Sequence, residues 1–273
     1  MSRASQLHAL YHLARADFLE RTRRLSFLVV LAAVVWLGYA TTTGMLTLRV
    51  PPIYIGEPNS PWIGALMTVT ATLFLGWFGF YLVKGSVSRD YQTGVGQVIA
   101  ATPLSRPLYA AGKWLSNLAV LGATLLILAA AGVAMALAVV GAPVDVPALI
   151  GPLLLLALPC LALVSALAVF FDAVPPLRGG FGNVAYLFLF ALLLIPAIES
   201  RTYQPLWDVA GIRLIGDGIQ SAARAAHPES SGGFAVTLGT PAAGPTWRFV
   251  YDGIAWSPAI LGSRLFFVLL AFG

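Results

Sequence analysis

The sequence predicts an all-α, polytopic helical membrane protein, and two observations support that prediction. Only 10% of the 273 residues are charged and 59% are hydrophobic, with a mean hydropathy of +0.85. A soluble domain carries roughly 25% charged residues, and a water-exposed surface cannot be built from so few. Five long stretches of the sequence also contain no charged residue. The composition therefore excludes soluble, disordered and nucleic-acid-binding classes of protein, although the pI is near 9.6.

The five uncharged stretches are each long enough to cross a membrane. They cover residues 25–48, 58–83, 114–144, 146–171 and 179–198. A helix needs about 20 apolar residues to cross the hydrocarbon core, and lipid offers backbone groups no partners outside a helix. We therefore predict a transmembrane domain of five full helices over residues 25–198. A sixth helix is expected in 257–273, and we expect the chain to stop inside it, since only nine residues follow Arg264.

The basic residues predict the orientation of these helices. Ten of them fall in segments that the alternation of spans places on one side: Arg3, Arg15, Arg21, Arg23, Arg24, Lys84, Arg89, Arg106, Lys113 and Arg178. The opposite short loops contain only Arg49. Because short cytoplasmic loops are enriched in Lys and Arg, we predict a cytoplasmic N-terminus in the plasma membrane. Segments 45–60, 141–147 and 199–256 are then extracytoplasmic. In the last of them, the apolar residues Ile212, Ile215, Ile219 and Ala222–Ala223 have the spacing of a short amphipathic helix.

Residues 1–24 have the pattern of a helix that lies in the membrane interface. Leu7, Leu10, Tyr11, Ala14 and Phe18 share about 100° of a helical wheel. Arg23 and Arg24 lie elsewhere, and Arg21 lies near the edge of the apolar face. Such a helix places its apolar face on the membrane and its basic face toward anionic lipid headgroups. The alternative is a basic flank that happens to be helical.

The loop 84–113 is far longer than a connection between antiparallel spans requires. It contains Arg89–Asp90, two glycines at 94 and 96, an apolar stretch over 98–101 and two prolines. Pro103 and Pro107 restrict the residues before them, so the chain is expected to bend there. We predict a short amphipathic helix parallel to the membrane, followed by a turn back into the bilayer.

The same loop resembles the one between the second and third helices of ABC-2-type ABC transporter permeases. In that family a Thr-Gly turn, an apolar pair, a (Ser/Thr)-Pro-Leu-Ser-Arg motif and Gly-Lys follow one another. Here Thr93–Gly94, Val98–Ile99, residues 102–106 and Gly112–Lys113 match in that order. The N-terminal helix and the arrangement of spans are also similar to those of the family.

The resemblance implies a permease subunit of an ATP-driven exporter of a lipid-like or amphiphilic substrate. A separate cytoplasmic ABC ATPase would bind ATP and Mg²⁺, and a second permease half would complete a homo- or heterodimer. The loop residues implied to couple the two proteins are Arg89, Asp90, Tyr91, Thr93, Gly94, Thr102, Pro103, Leu104, Ser105, Arg106 and Lys113. No phosphate-binding G-x-x-x-x-G-K-[ST] motif occurs, because Trp114 follows Gly112–Lys113.

Two other functions are considered, an integral membrane enzyme acting on lipid and a secondary transporter. The acidic residues Asp90, Asp145 and Asp172 are scattered over both predicted sides, which disfavours a catalytic centre. The first five spans carry no internal charge, which disfavours a proton-coupled transporter. His8 and His12 have the i, i+4 spacing of metal ligands but no third ligand nearby, so no metal or cofactor site is predicted.

Overall fold

A computed structural model of the chain describes residues 3–102, 104–139, 143–199, 203–230, 232–239 and 246–272. This part is mostly helical (73%). The helices are α1 Arg3–Thr22, α2 Leu25–Thr42, α3 Ser60–Val83, α4 Ser86–Gln92, α5 Val95–Ala100, α6 Arg106–Val139, α7 Val146–Pro152, α8 Leu158–Ala173, α9 Gly180–Glu199, α10 Ile212–Ala226 and α11 Pro258–Phe272. A π-helical segment, Leu153–Ala157, joins α7 to α8, and a 3₁₀ turn, Pro175–Leu177, precedes α9.

Among the residues that the structure describes, three helical stretches are long and apolar enough to cross a membrane, namely 60–92, 106–138 and 146–173. A fourth candidate is the pair α1 and α2, whose axes are bent by 74° at the break between them. The other predicted spans correspond to the shorter apolar helices Gly180–Ile195 and Pro258–Phe272. The all-α architecture and the membrane-type helices are therefore confirmed in outline, whereas the count of five full spans is not.

The long helices pack around one apolar core, to which α2, α3, α6, α8 and α9 all contribute. Close approach of α3 and α9 depends on Gly76, because a Cβ at that position would overlap the ring of Phe190. The Tyr186 hydroxyl donates a hydrogen bond to the Gly76 carbonyl, and the Tyr186 ring stacks on Phe80. Outward-facing positions on the same helices expose large apolar side chains, such as Leu126 and Phe181. An apolar exterior of this kind suits contact with lipid.

In the described part of the chain, four short strands that the sequence does not predict lie in two of the three segments predicted to be extracytoplasmic. Strand β1 (Leu46–Arg49) pairs antiparallel with β3 (Ala235–Leu238), so that Leu46 faces Leu238. Strand β2 (Tyr54–Gly56) pairs in parallel with β4 (Trp247–Phe249). The sequence predicts neither pair, since each joins residues about 190 positions apart and no local pattern connects them.

Helix α10 is the amphipathic helix that the spacing of apolar residues predicts in segment 199–256. Its side chains Ile215, Ile219 and Ala223 are fully buried. The carboxylate of Asp208 accepts hydrogen bonds from the backbone N–H groups of Arg213 and Leu214, at 3.3 and 3.0 Å, and so caps the helix. Burial raises the pKa of Asp208, which those hydrogen bonds oppose.

Segments predicted to share one side of the membrane contact one another. On the side of the strands, the Ser60 hydroxyl accepts a hydrogen bond from the Asp145 N–H, and the Asn59 amide donates to the Tyr251 carbonyl. At the other end of the helices, α1, the segment 84–113 and the turn before α9 meet. The helices thus separate two polar layers, and the grouping of segments agrees with the predicted alternation.

Candidate functional site

The two short helices α4 and α5 form most of the predicted coupling loop, and each begins after a glycine. Gly85 and Gly94 have φ values of +92° and +75°, in the left-handed region that favours glycine. The chain can therefore reverse sharply before each helix. The loop is also shorter than the sequence predicts, because α6 begins at Arg106, eight residues before the predicted span at Trp114. Lys113 consequently belongs to a long helix and not to the loop.

Helix α4 is capped by a side chain from a distant part of the chain. The carboxylate of Asp172, on α8, accepts hydrogen bonds from the Val87 N–H at 2.8 Å and from the Ser88 N–H and hydroxyl at 3.3 and 2.8 Å. Asp172 is fully buried. Its own carbonyl accepts a hydrogen bond from the Arg178 guanidinium at 2.7 Å. The base of the loop is thereby fixed to the end of α8.

A buried ion cluster fixes α4 to α1 and α6. The Lys113 ammonium lies 2.7 Å from an Asp90 carboxylate oxygen and 2.8 Å from an Asp17 oxygen, and the lysine side chain is only 1% exposed. The Tyr109 hydroxyl donates a hydrogen bond to the same Asp90 oxygen at 2.6 Å. Because Asp17 belongs to α1, Asp90 to α4 and Lys113 to α6, one cation connects three helices.

A second, more exposed set of charges extends this connection. Glu20 of α1 pairs with Arg89 of α4 and with Arg24, each at 2.7 Å. Partial burial acts to raise the pKa of Glu20, but the hydrogen bond from Arg24 and the charge of Arg89 outweigh it and hold that pKa below its ordinary value. Exposed pairs of this kind each contribute at most about 1 kcal/mol. They orient α1 against α4 more than they stabilise the fold.

Arg21 is the buried arginine of α1. It is 2% exposed and donates a hydrogen bond to the Val83 carbonyl, at the C-terminal end of α3, at 2.8 Å. Burial lowers the pKa of Arg21 to about 10, and the charge of Asp17 opposes that shift. The guanidinium therefore stays charged at neutral pH. Its positive charge interacts favourably with the negative, C-terminal end of the α3 helix dipole. It faces the protein, whereas Arg23 is exposed.

Helix α5 contrasts with this fixed base, because none of its residues is buried. Val98 is 69% exposed, Val95 is 46% exposed and Tyr91, at the end of α4, is 66% exposed. Arg178 lies 5.1 Å over the Tyr91 ring. Exposed apolar side chains thus project from a fixed base at the polar end of the helical bundle.

The structure brings together only part of the predicted coupling set. Arg89, Asp90 and Lys113 join the ion contacts described above, whereas Thr93, Thr102 and Arg106 are exposed on the loop or at its end. Tyr91, Gly94, Leu104 and Ser105 also lie outside the ion cluster, and Pro103 falls outside the described residues. Along the interfacial helix, Ala14 is buried, Leu10 and Phe18 are half-buried and Tyr11 is exposed, while the side chain of Leu7 is not described.

Sequence reasoning missed the partners of these residues. Asp17, Glu20 and Tyr109 complete the ion contacts, and Asp172 caps α4, but none was predicted to do so. The i, i+3 spacing of Asp17 and Glu20 places them on one face of α1, which is the only local signal. Among the residues that the structure describes, no group of three His, Cys, Asp or Glu side chains is placed to hold a metal ion.

Comparison of the chain with protein-family models, with curated proteins and with solved structures finds no significant match.

Proposed function

We propose that this chain is the membrane-spanning permease subunit of an ATP-driven ABC-2-type transporter, and that it exports a lipid-like or amphiphilic substrate. A separate cytoplasmic ABC ATPase docks on α5 and supplies ATP hydrolysis with its own Mg²⁺. The proposal includes a plasma-membrane location, a cytoplasmic N-terminus and five full spans formed by α2, α3, α6, the α7–α8 unit and α9. A second permease half, identical or different, completes the transporter.

The observation that carries the proposal is the combination of a fixed base and a free apolar face in the segment 84–105. The base is fixed through Asp172 and Lys113, whereas α5 contributes nothing to the core. An exposed helix with no packing role needs another reason for its apolar residues. A partner protein that covers Val95 and Val98 would provide one, and the resemblance of the loop to that of ABC-2-type permeases implies that this partner is an ATPase.

The proposed mechanism is transmission of the ATPase's closure to the spans. When the partner moves α5, α4 moves with it because the two helices are joined at Gly94. The Asp90–Lys113 pair would carry that displacement to α6 and the Asp172 cap would carry it to α8. The Lys113–Asp17 pair would carry the displacement to α1. The rigid connections thus convert movement of a surface helix into movement of helices in the membrane.

The test introduces a charge on the exposed face of α5. Because Val98 is 69% exposed, Val98→Asp is expected to leave the fold intact. We expect it to reduce ATPase activity that co-purifies with the chain from native membranes by roughly tenfold or more, since a charge at an interface centre is left unpaired. A photo-crosslinker at position 98 should capture a protein that azido-ATP labels.

Val250→Asp provides the matched control, because Val250 is 51% exposed and lies near β4, in the layer of the strands. It should leave the co-purifying ATPase unchanged. Unchanged ATPase recovery with Val98→Asp, together with no ATP-binding protein crosslinked at position 98, would refute the proposed docking.

A further inference from the structure

An apolar groove of about 680 Å³ runs between α1, α6 and the α7–α8 unit. Its volume is in the range of about 300–1,000 Å³ that small-molecule sites occupy. The walls are formed by apolar side chains, among them Phe18, Leu115, Leu126, Leu153 and Leu154. Leu126 and Leu154 are 67% and 48% exposed, so the groove opens to the outside of the bundle. An apolar ligand could therefore enter it laterally.

The groove is elongated along the membrane-crossing direction. On α6 it is lined from Leu115 to Ala129, which at 1.5 Å per residue is about 21 Å. One leaflet accounts for half of a hydrocarbon core about 30 Å thick, or about 15 Å. The groove is thus long enough for the acyl chain of one leaflet, extending inward from the end of the bundle where α1 lies.

One end of the groove carries a cation. Arg15 of α1 is the single charged residue among the described residues that line it, and it lies beside Tyr11. Arg15 is exposed and forms no hydrogen bond or ion pair with the described part of the chain. Helix α1 contacts α6 at Gly112 and Lys113, just before the first groove-lining residue of α6, so Arg15 lies toward that end of the groove.

The wall opposite α1 has an irregular backbone. Pro159 has no N–H to bond the carbonyl four residues earlier, and the helix before it widens into the π-helical segment Leu153–Ala157, where the Leu158 N–H donates to the Leu153 carbonyl. Leu153, Leu154 and Leu158 all line the groove. Single π-helical turns within α-helices are frequent at functional sites.

We propose that this groove binds one anionic phospholipid of the cytoplasmic leaflet, with its phosphate against Arg15 and an acyl chain along α6. The inference rests on the membrane orientation proposed above. Charge complementarity favours a lipid over a second copy of the chain. The apolar face of another helix would cover Arg15 without a counter-charge, whereas a phosphate provides a charge-assisted hydrogen bond.

The first test uses the full chain in mixed micelles of phosphatidylcholine and phosphatidylglycerol in equal amounts, followed by native mass spectrometry. We expect the wild-type chain to retain one phosphatidylglycerol in preference to phosphatidylcholine. Arg15→Gln should reduce that preference about fivefold, which is the change in binding expected from the loss of one basic residue near an anionic surface. Arg23→Gln is the matched control, since Arg23 is also exposed but does not line the groove, and it should retain the preference.

The second test fills the groove. Gly122 lines it, and a Cβ at this position meets nothing within 4 Å, so Gly122→Leu places a side chain in the open space without a clash. We expect this variant to retain neither lipid. Gly151→Leu is the control, because Gly151 also has open space around its Cβ but does not line the groove.

Three results would overturn the proposal: an undiminished preference in Arg15→Gln, a retained phosphatidylglycerol in Gly122→Leu, or a wild-type dimer that Gly122→Leu dissociates. The last result would identify the groove as a contact between copies. The measurement requires no ATPase, so its failure leaves the docking proposal standing. Conversely, Val98→Asp should leave the retention of phosphatidylglycerol unchanged even though it disrupts docking of the ATPase.

Discussion

At the scale of single residues, Lys113 differs most from its predicted role. The sequence places it in a loop beside a basic motif, whereas the structure buries it between Asp17 and Asp90. A buried ion pair adds little net stability over an apolar substitute, but removal of one partner leaves an uncompensated charge. Lys113 is therefore needed because its two acidic partners are buried with it.

Replacement of Lys113 by methionine tests this dependence. We expect Lys113→Met to lower the free energy of unfolding by about 3–5 kcal/mol, because Asp17 and Asp90 lose their cation. Thermal unfolding of the purified chain in detergent would record the loss as a lower midpoint temperature. Arg106→Met is the control on the same helix, and since Arg106 is exposed, its change should stay within about 0.5 kcal/mol.

A third variant separates charge from packing. In the triple variant Lys113→Met, Asp17→Asn and Asp90→Asn, the buried charges are removed together, so much of the lost stability should return. If the triple variant were as unstable as Lys113→Met, the loss would come from side-chain packing and not from the unpaired carboxylates.

At the scale of elements, helix α4 is stable only because of what caps and surrounds it. It has seven residues, and an isolated helix of that length is not stable in water. Gly85 before it has no side chain with which to cap it, so the Asp172 carboxylate supplies the cap from α8. The exposed face of α5 consequently depends on Asp172, which follows Val98 by 74 positions in the sequence.

Replacement of Asp172 by alanine should loosen α4 while leaving α8 in place. We expect the Val87 and Ser88 amides to exchange with deuterium about fivefold to thirtyfold faster, which corresponds to the loss of a cap worth about 1–2 kcal/mol. Hydrogen-exchange mass spectrometry on peptides that cover residues 84–93 would measure it.

Asp145→Ala is the control for this experiment, because Asp145 caps α7 by accepting a hydrogen bond from the Ala148 N–H. It should accelerate exchange in α7 and not in α4. Unchanged exchange in α4 after Asp172→Ala would show that the ion cluster alone holds the loop.

At the scale of the whole molecule, the chain has two polar layers separated by apolar helices. The strand pairs and α10 form one layer, and the loop 84–113 with α1 forms the other. Positive charge is concentrated in the second layer, although α10 also carries arginines. This distribution supports the proposed cytoplasmic position of that layer.

Labelling of introduced cysteines tests this assignment. The native thiol of Cys160 is buried, and burial makes it inert to maleimides. In intact cells, a membrane-impermeant maleimide should label Val250→Cys and should leave Val98→Cys unlabelled until the membrane is opened. Labelling of Val98→Cys in sealed cells would reverse the proposed orientation and remove α5 from reach of a cytoplasmic ATPase.

The sequence by itself determined the helical class, the approximate positions of the apolar helices and the grouping of the loops. These features follow from local composition, because an apolar stretch without charge has few alternatives to a helix in lipid. The spacing of Ile215 and Ile219 likewise predicted the buried face of α10 from one segment alone. The Thr-Pro-Leu-Ser-Arg motif and its glycines located the candidate docking loop.

Only the tertiary structure decided how that loop is held and where the groove lies. Asp17 meets Lys113 across 96 positions, and Asp172 meets Val87 across 85. The strand pairs join residues still further apart, and Arg15 reaches the groove because α1 packs on α6. Local patterns specify which face of an element is apolar, but the partner of a buried charge is set by how the helices pack, which no single segment encodes.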